Sequence, residues 1–363
     1  MNRKNYLQYI INPLELLRTK TVLQVNPTVI PERKELVKTD KTLFNYSSHI
    51  FESKKIETIE ETFSFLDTKE VSWINIDGIN KNEIEILANH FQIHPLIVED
   101  ILSVGQRPKM DEINGVLFCV LNMLFFNQKN TTIETEQISI VIGNNFIISI
   151  QEDANRDVFS SLREKIKITG SKVRQNGADF LYYCLIDCIV DNYFLVMEGL
   201  GERIELLEED VVRNPNNRTL VKINNLRKEM ILLKRSIGPV RELIHGILRS
   251  ESDLIEEKTE KYFKDIYDHI IQANELAENN RDMLINIHDL YMSNVNLKLN
   301  ESIKVMTIVT CLLAPATVIG GIFGMNFESI PMIHNKWGFF ASVGLMIFIP
   351  AWMMYYFKKK KWF

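Results

Sequence analysis

Cysteine is scarce in this chain. Its four cysteines, Cys119, Cys184, Cys188 and Cys311, are too few and too irregularly spaced for a zinc ribbon, and they read as packing residues. No run of Lys or Arg carries interleaved aromatics, and the net charge is −5, so nucleic acid is not an expected partner. No G-x-x-x-x-G-K-[ST] loop is present to cradle a nucleotide phosphate. An H-E-x-x-H frame is also missing: His90 and His94 stand four apart, but Pro95 follows and no Glu partners them. His49, His245 and His288 are isolated, which leaves a membrane-tethered enzyme without a recognisable site. The first residues, Met1-Asn2-Arg3-Lys4-Asn5-Tyr6, lack the apolar centre of a secretory signal, as expected for a domain that is not exported.

What the chain does have is apolar sequence gathered at its carboxyl end. Residues 305–323 and 338–357 carry no charge, and each run approaches the roughly 20 apolar residues that cross a bilayer core. Lys358, Lys359, Lys360 and Lys361 follow the second run. Positive flanks stay in the cytoplasm, so both termini are expected inside a cell (inner) membrane crossed twice, with 324–337 as the outer loop.

The amino-terminal residues 1–156 mix strand and helix patterns. Strands are expected at 71–77, 115–127, 138–142 and 146–150, the last two joined across Asn144-Asn145, with a helix at 81–91 carrying Ile84, Leu87 and Phe91. Residues 157–258 are helical, and 177–213 and 217–250 form a hairpin around Asn214-Pro215-Asn216. A third helix is expected over 259–323, because no proline intervenes before Pro315 and no glycine before Gly320. Such a helix would be on the order of 100 Å long and would need lateral partners. Ala273, Leu276, Asn280, Met283, Ile287, Leu290, Asn294 and Leu297 recur at coiled-coil spacing, implying association within or between chains. A second stripe runs through Asp289, Ser293, Asn296, Asn300, Ile303, Met306, Thr310, Ala314, Thr317 and Gly321. Periodicity alone leaves its polar part open between a pore wall and a solvated face.

At the outer end of the first apolar run stands Gly324-Met325-Asn326, preceded by Phe323 and followed by Phe327-Glu328-Ser329-Ile330-Pro331. With this motif after the first of two carboxyl-terminal spans, and with Gln106-Arg107-Pro108-Lys109 and Tyr267-Asp268-His269 upstream, the chain resembles the CorA magnesium-channel family. The resemblance implies an α+β membrane protein: a cytoplasmic α/β funnel domain, a long stalk helix, two transmembrane helices and a homopentamer. It also implies influx of Mg2+, with Co2+ and Ni2+ as further candidates, driven by membrane potential and gated by cytoplasmic Mg2+.

By that resemblance Gly324, Met325 and Asn326 form the selectivity filter. Asn300, Ile303, Met306, Thr310, Ala314, Thr317 and Gly321 line the pore. Asp100 and Asp265 are implied to share regulatory Mg2+ between neighbouring subunits, with Glu99, Asp187 and His269 nearby. Asn326 amides and backbone carbonyls suit a hydrated ion that gives up water reluctantly. Gly324 and Asn326 are also suitable residues to end a helix, and the two roles are compatible. The chain departs from the family pattern in having Ala314 before Pro315, Phe323 before the signature, and Met332 after Pro331, where an acidic residue is usual. The competing reading is a zinc transporter of the same superfamily; Met325, where those proteins usually carry Ile, favours magnesium.

Overall fold

The computed structural model describes residues 39–65, 69–127, 132–153, 158–250, 252–326, 330–332, 335–360 and 362. They divide into two compact units, one of residues up to 207 with 221–285, the other of 208–220 with 286–363.

The first unit is built on a seven-stranded sheet in the order β2-β1-β3-β7-β6-β5-β4. The strands are β1 (Asp40–Tyr46), β2 (Phe51–Ile56), β3 (Val71–Asp77), β4 (Lys109–Ile113), β5 (Val116–Asn127), β6 (Thr132–Ile142) and β7 (Phe146–Gln151). β3 and β7 pair in parallel with Trp73 opposite Ile147, while the other neighbours are antiparallel. Two helices, α1 (Lys81–His90) and α2 (Pro95–Leu102), contribute Ile84, Leu87, Ile97 and Ile101 to a core shared with Ile74, Ile76, Ile148 and Ile150. α1 starts where the Asn80 side chain accepts from the backbone N–H of Asn82, and α2 where His94 Nδ1 accepts from that of Leu96 with Pro95 in the first turn.

β3 and β7 are almost wholly buried, which explains why their sequences do not alternate. Several of their buried polar residues bond to one another, although Gln151 Oε1 is buried without a partner among the described residues. Trp73 Nε1 donates to Ser149 Oγ and Ser149 Oγ to Asn75 Oδ1, each at 2.8 Å, and Gln151 Nε2 donates to Asp77 Oδ1 at 2.7 Å.

Four helices follow in this part of the chain: α3 (Ser160–Lys167), α4 (Lys172–Gln175), α5 (Ala178–Arg213) and α6 (Asn217–Arg249). α5 is docked on the sheet, where Tyr193 Oη donates to the Asn122 carbonyl at 2.7 Å and Asn192 Nδ2 donates to that of Leu124. Arg203 on α5 pairs with the largely buried Glu229 on α6 at 2.5 Å.

The sequence expectations hold for β3 and, within a residue, for α5 and α6 of the helical hairpin. Three others are displaced. Gly115 belongs to a turn rather than to β5, since Asn114 (φ 57°) and Gly115 (φ 73°) are both left-handed and close the β4–β5 hairpin. β6 begins at Thr132, and the third long helix, α7 (Glu257–Phe323), begins two residues before the expected 259. The boundary at 156 and the segment 1–38 lie outside the described residues.

Only part of the stripe expected for helix association on α7 is buried within the chain. The positions buried within the chain are Phe263, Ile266, Ile270, Ala273, Ala277, Leu284, Ile287 and Tyr291, while Leu276, Met283 and Leu297 of the expected stripe are exposed. The two stripes share only Ala273 and Ile287 because adjacent faces of one helix both carry apolar residues at three-four spacing.

The second unit contains the outer part of α7, with Pro315 inside the helix, and α8 (Gly338–Lys359), which extends two residues into the lysines. Three described helices are long and apolar enough to cross a membrane, but 56% of the apolar window in α5 is buried inside the protein against 6% in α7 and 11% in α8. α5 is therefore a core helix, and the apolar surfaces of α7 and α8 are the ones left for lipid or other helices.

Glu136 on β6 offers a test of the sheet's energetics. Its Oε1 accepts from the backbone N–H of Glu152 at 2.7 Å and of Asp153 at 2.8 Å, and its Oε2 is buried without a partner among the described residues. Burial raises its carboxyl from the ordinary 4.5 to about 7. A carboxyl raised by folding contributes stability fully below its unfolded pKa and loses it as pH rises through the folded one. Between about pH 5 and about pH 8 the wild type should therefore lose about 2 kcal/mol more stability than Glu136→Gln in thermal unfolding; parallel pH profiles would refute the assignment.

Candidate functional site

The membrane end of α7 carries the expected filter and lining residues. Asn300, Ile303, Met306, Thr310, Ala314, Thr317 and Gly321 are all exposed in the single chain, so none is consumed by packing within it. The threonine hydroxyls already have a use for their protons. Thr310 Oγ1 donates to the Met306 carbonyl at 2.9 Å and Thr317 Oγ1 to that of Leu313 at 3.1 Å. With the hydrogen turned back onto the helix, each oxygen presents lone pairs outward, as suits the water shell of a cation. Pro315 lacks an N–H, so the Cys311 carbonyl has no proton to accept from that position.

Helical bonding persists to the motif: the N–H of Gly324 donates to the Gly320 carbonyl at 2.9 Å and that of Met325 to Ile322 at 3.3 Å. Gly324 does not adopt the left-handed conformation expected of a glycine cap, since positive φ among the glycines is confined to Gly78, Gly105, Gly115 and Gly170. A Cβ there would lie 3.0 Å from the Gly320 carbonyl oxygen, so that this neighbour would have to give by a few tenths of an ångström. Gly338, opening α8, is tighter still, with the Met332 carbonyl oxygen 2.2 Å from where a Cβ would stand. Phe327, Glu328 and Ser329, including the loop's one carboxylate, lie outside the described residues.

The acidic residues belong to the first unit. Asp187 and Asp191, four apart on α5, and His269 on α7 place one ligand atom each within 4.8 Å of one another. His269 Nδ1 is buried with no partner among the described residues. Asp187 accepts from Tyr183 Oη at 3.3 Å, and its carboxyl is raised to about 6, first by burial and then by Asp191, with Asp265 adding and Tyr183 and His269 opposing. Two carboxylates that disfavour each other's charge, beside an orphaned imidazole nitrogen, suit a divalent cation. Oxygen donors fit Mg2+, and the imidazole adds affinity for Co2+ or Ni2+.

Asp187 and His269 thus come together within one chain, while Asp265 acts on the Asp187 carboxyl without belonging to the group. Asp191 was not among the expected residues, although its i, i+4 relation to Asp187 was readable and mirrors that of Asp265 to His269. Glu99 and Asp100 are not members of this group. They sit on α2, where Gln137 Nε2 donates to the Asp100 carbonyl at 3.1 Å and Ser103 Oγ to that of Glu99 at 2.7 Å. The Asp100 carboxylate is held by Lys109 Nζ at 2.6 Å. Of the histidines set aside from the sequence, His94 caps α2 and His90 stacks on Phe63 with centroids 3.8 Å apart.

A family model described as CorA-like Mg2+ transporter protein matches residues 68–359. The chain belongs to the CorA-like Mg2+ transporter family. It is 38% identical over 321 residues to the cobalt/magnesium transport protein CorA of Thermotoga maritima, covering 88% of this chain and 91% of that protein. Its fold is similar to the complete structure of the CorA magnesium transporter from Methanocaldococcus jannaschii, with a TM-score of 0.73, 22% identity, and coverage of 91% of this chain and 100% of that one. It is also similar to the cytoplasmic domain of ZntB from Vibrio parahaemolyticus, with a TM-score of 0.54, 14% identity, and coverage of 70% and 98%. CorA-family membership agrees with the resemblance carried by the Gly-Met-Asn motif, and the fold is the expected α/β domain followed by long and apolar helices.

The donor set can be tested directly in the purified full chain. Titration with Co2+ should give a visible absorption change carried by the His269 nitrogen, and His269→Ala should weaken binding about tenfold or more. An unaltered spectrum and affinity in the variant would remove the imidazole from the site.

Proposed function

We propose that this chain is one subunit of a homopentameric channel that admits Mg2+ to the cytoplasm down its electrochemical gradient. The observation that carries the reading is the exposed stripe of α7 from Asn300 to Gly321, which ends at Gly324-Met325-Asn326 in a member of this family. A stripe holding Asn300, Thr310 and Thr317 suits water better than lipid, and copies of itself around an axis would cover it while forming a water-filled path. Asn326 amides and the adjacent carbonyls would select the hydrated ion, while Ile303 and Met306 would form apolar constrictions. A divalent ion entering a cell at 100 mV gains about 4.6 kcal/mol, so no pump is required.

Orientation follows from the lysines after α8, with both termini in the cytoplasm. Regulation is assigned to the acidic groups: Mg2+ bridging Asp100 of one subunit and Asp265 of the next, assisted by Glu99, Asp187 and His269, would offset repulsion and favour a closed ring. α7 carries both Asp265 and the constrictions at Ile303 and Met306, so one helix holds the sensing and gating residues.

Asn326→Ala should abolish Mg2+ flux into liposomes, with the protein still inserted and assembled; normal flux would rule out the filter assignment. Mass measurement of the detergent-solubilised protein should give five copies, and a conducting monomer would end the model. Replacing Asp100 and Asp265 together by Asn should weaken inhibition by internal Mg2+ in patch recordings. Unchanged inhibition would place the sensor elsewhere.

A further inference from the structure

Two adjoining cavities lie between the segment 105–110, which leads into β4, and one face of α6. The smaller, about 250 Å³, is lined by Arg107, Arg235, Ser236, Asn122 and Thr135 among others. The larger, about 940 Å³, shares Arg107, Arg235 and Ile231 with it and adds an apolar wall that includes Met110, Pro239 and Leu243. Both lie wholly within the first unit.

The charge around these cavities is uneven. Lys109, Lys234 and Arg241 also line the larger one, against the single carboxylate of Glu242. Those three cations are already engaged: Lys109 with Asp100 and Asp111, Lys234 with Glu278, and Arg241 with Glu242. Arg107 and Arg235 have no carboxylate partner among the described residues, and they are the two cationic residues that line both cavities. In a chain of net charge −5 this local excess is not a general background.

Two unpaired guanidiniums, with hydroxyls from Ser236 and Thr135 and the amide of Asn122 on the same cavity, match the recognition of a compact dianion. Guanidinium forks bind phosphate oxygens bidentately, while hydroxyl and amide groups can donate to those left over. The larger cavity falls in the size range of small-molecule sites and offers apolar surface to whatever the phosphate is attached to.

We infer that this pocket binds a small phosphate monoester, with the phosphate held by Arg107 and Arg235 and the organic remainder against Met110, Ile231 and Pro239. None of these residues belongs to the filter, the pore lining or the acidic group, so the site is a separate ligand port on the cytoplasmic α/β domain.

Calorimetric titration of the purified full chain in divalent-free buffer, with adenosine monophosphate, inorganic phosphate and adenosine as probes, tests the inference. The monophosphate should bind saturably, inorganic phosphate more weakly, and adenosine not measurably. Replacing both arginines, Arg107→Gln with Arg235→Gln, should weaken monophosphate binding about tenfold or more, the loss expected for charge-assisted bidentate contacts. Arg235→Lys should fall between that variant and wild type, and Lys234→Gln, altering a neighbouring cation already paired with Glu278, should stay within about twofold. No saturable binding by the wild type, undiminished binding by the double variant, or equal binding of adenosine would overturn the site. Equal affinity for inorganic phosphate would overturn the role of the apolar wall.

Discussion

Hydrocarbon offers no hydrogen bonds, and the carboxyl-terminal half of this chain is arranged around that constraint. Every backbone group of a spanning segment must be satisfied internally, which demands helix through residues 305–323 and 338–357. A side chain that must hydrogen-bond is admitted only if the helix itself or another helix can serve it. Thr310 and Thr317 meet the condition by returning their protons to carbonyls one turn back. Ala314 and Gly321 meet it by offering no polar side chain. The stripe therefore tolerates a membrane while remaining polar enough to line water.

The seven-stranded sheet solves the opposite problem, because it buries polar side chains where apolar ones would be simpler. Trp73, Ser149 and Asn75 form one hydrogen-bonded run across the parallel β3–β7 pair, and Gln151 meets Asp77 across the same pair. A one-residue slip in register would leave each of these groups without its partner in a buried layer, so the polar residues make the strand alignment specific. Glu136 is the less satisfied neighbour of that arrangement, with one oxygen engaged by two backbone amides and the other unpartnered.

How much of this was legible depended on whether a local pattern carried the information. The charge-free runs, the Asn214-Pro215-Asn216 break and β3 were readable because length, helix-breaking chemistry and bulky β-formers act locally. β1 and β2 were not: Asp40–Tyr46 and Phe51–Ile56 carry lysines and mixed burial, and pairing within the sheet makes them strands. The stripe read on α7 is not the one the chain buries within itself, because two neighbouring faces of the helix fit the same spacing and only packing chooses between them. At the candidate metal group, spacing could have indicated Asp191, but no spacing could bring α5 beside His269. Family likeness supplied Asp187 and His269 without their geometry, and Gly324, read as suited to end a helix, does so without the left-handed conformation.

The contact between Lys109 Nζ and Asp100 at 2.6 Å bears on the proposal that Asp100 takes regulatory Mg2+. The carboxylate already has a counterion of the protein's own, tethered to a neighbouring strand. Under that proposal, occupation by a metal would be an exchange, in which one charge is released before two are accepted and the ammonium returns when the metal leaves. Such a tethered competitor would lower apparent affinity without altering the ligand's donors, so the threshold of the proposed site would be set partly by a residue that need not touch the metal.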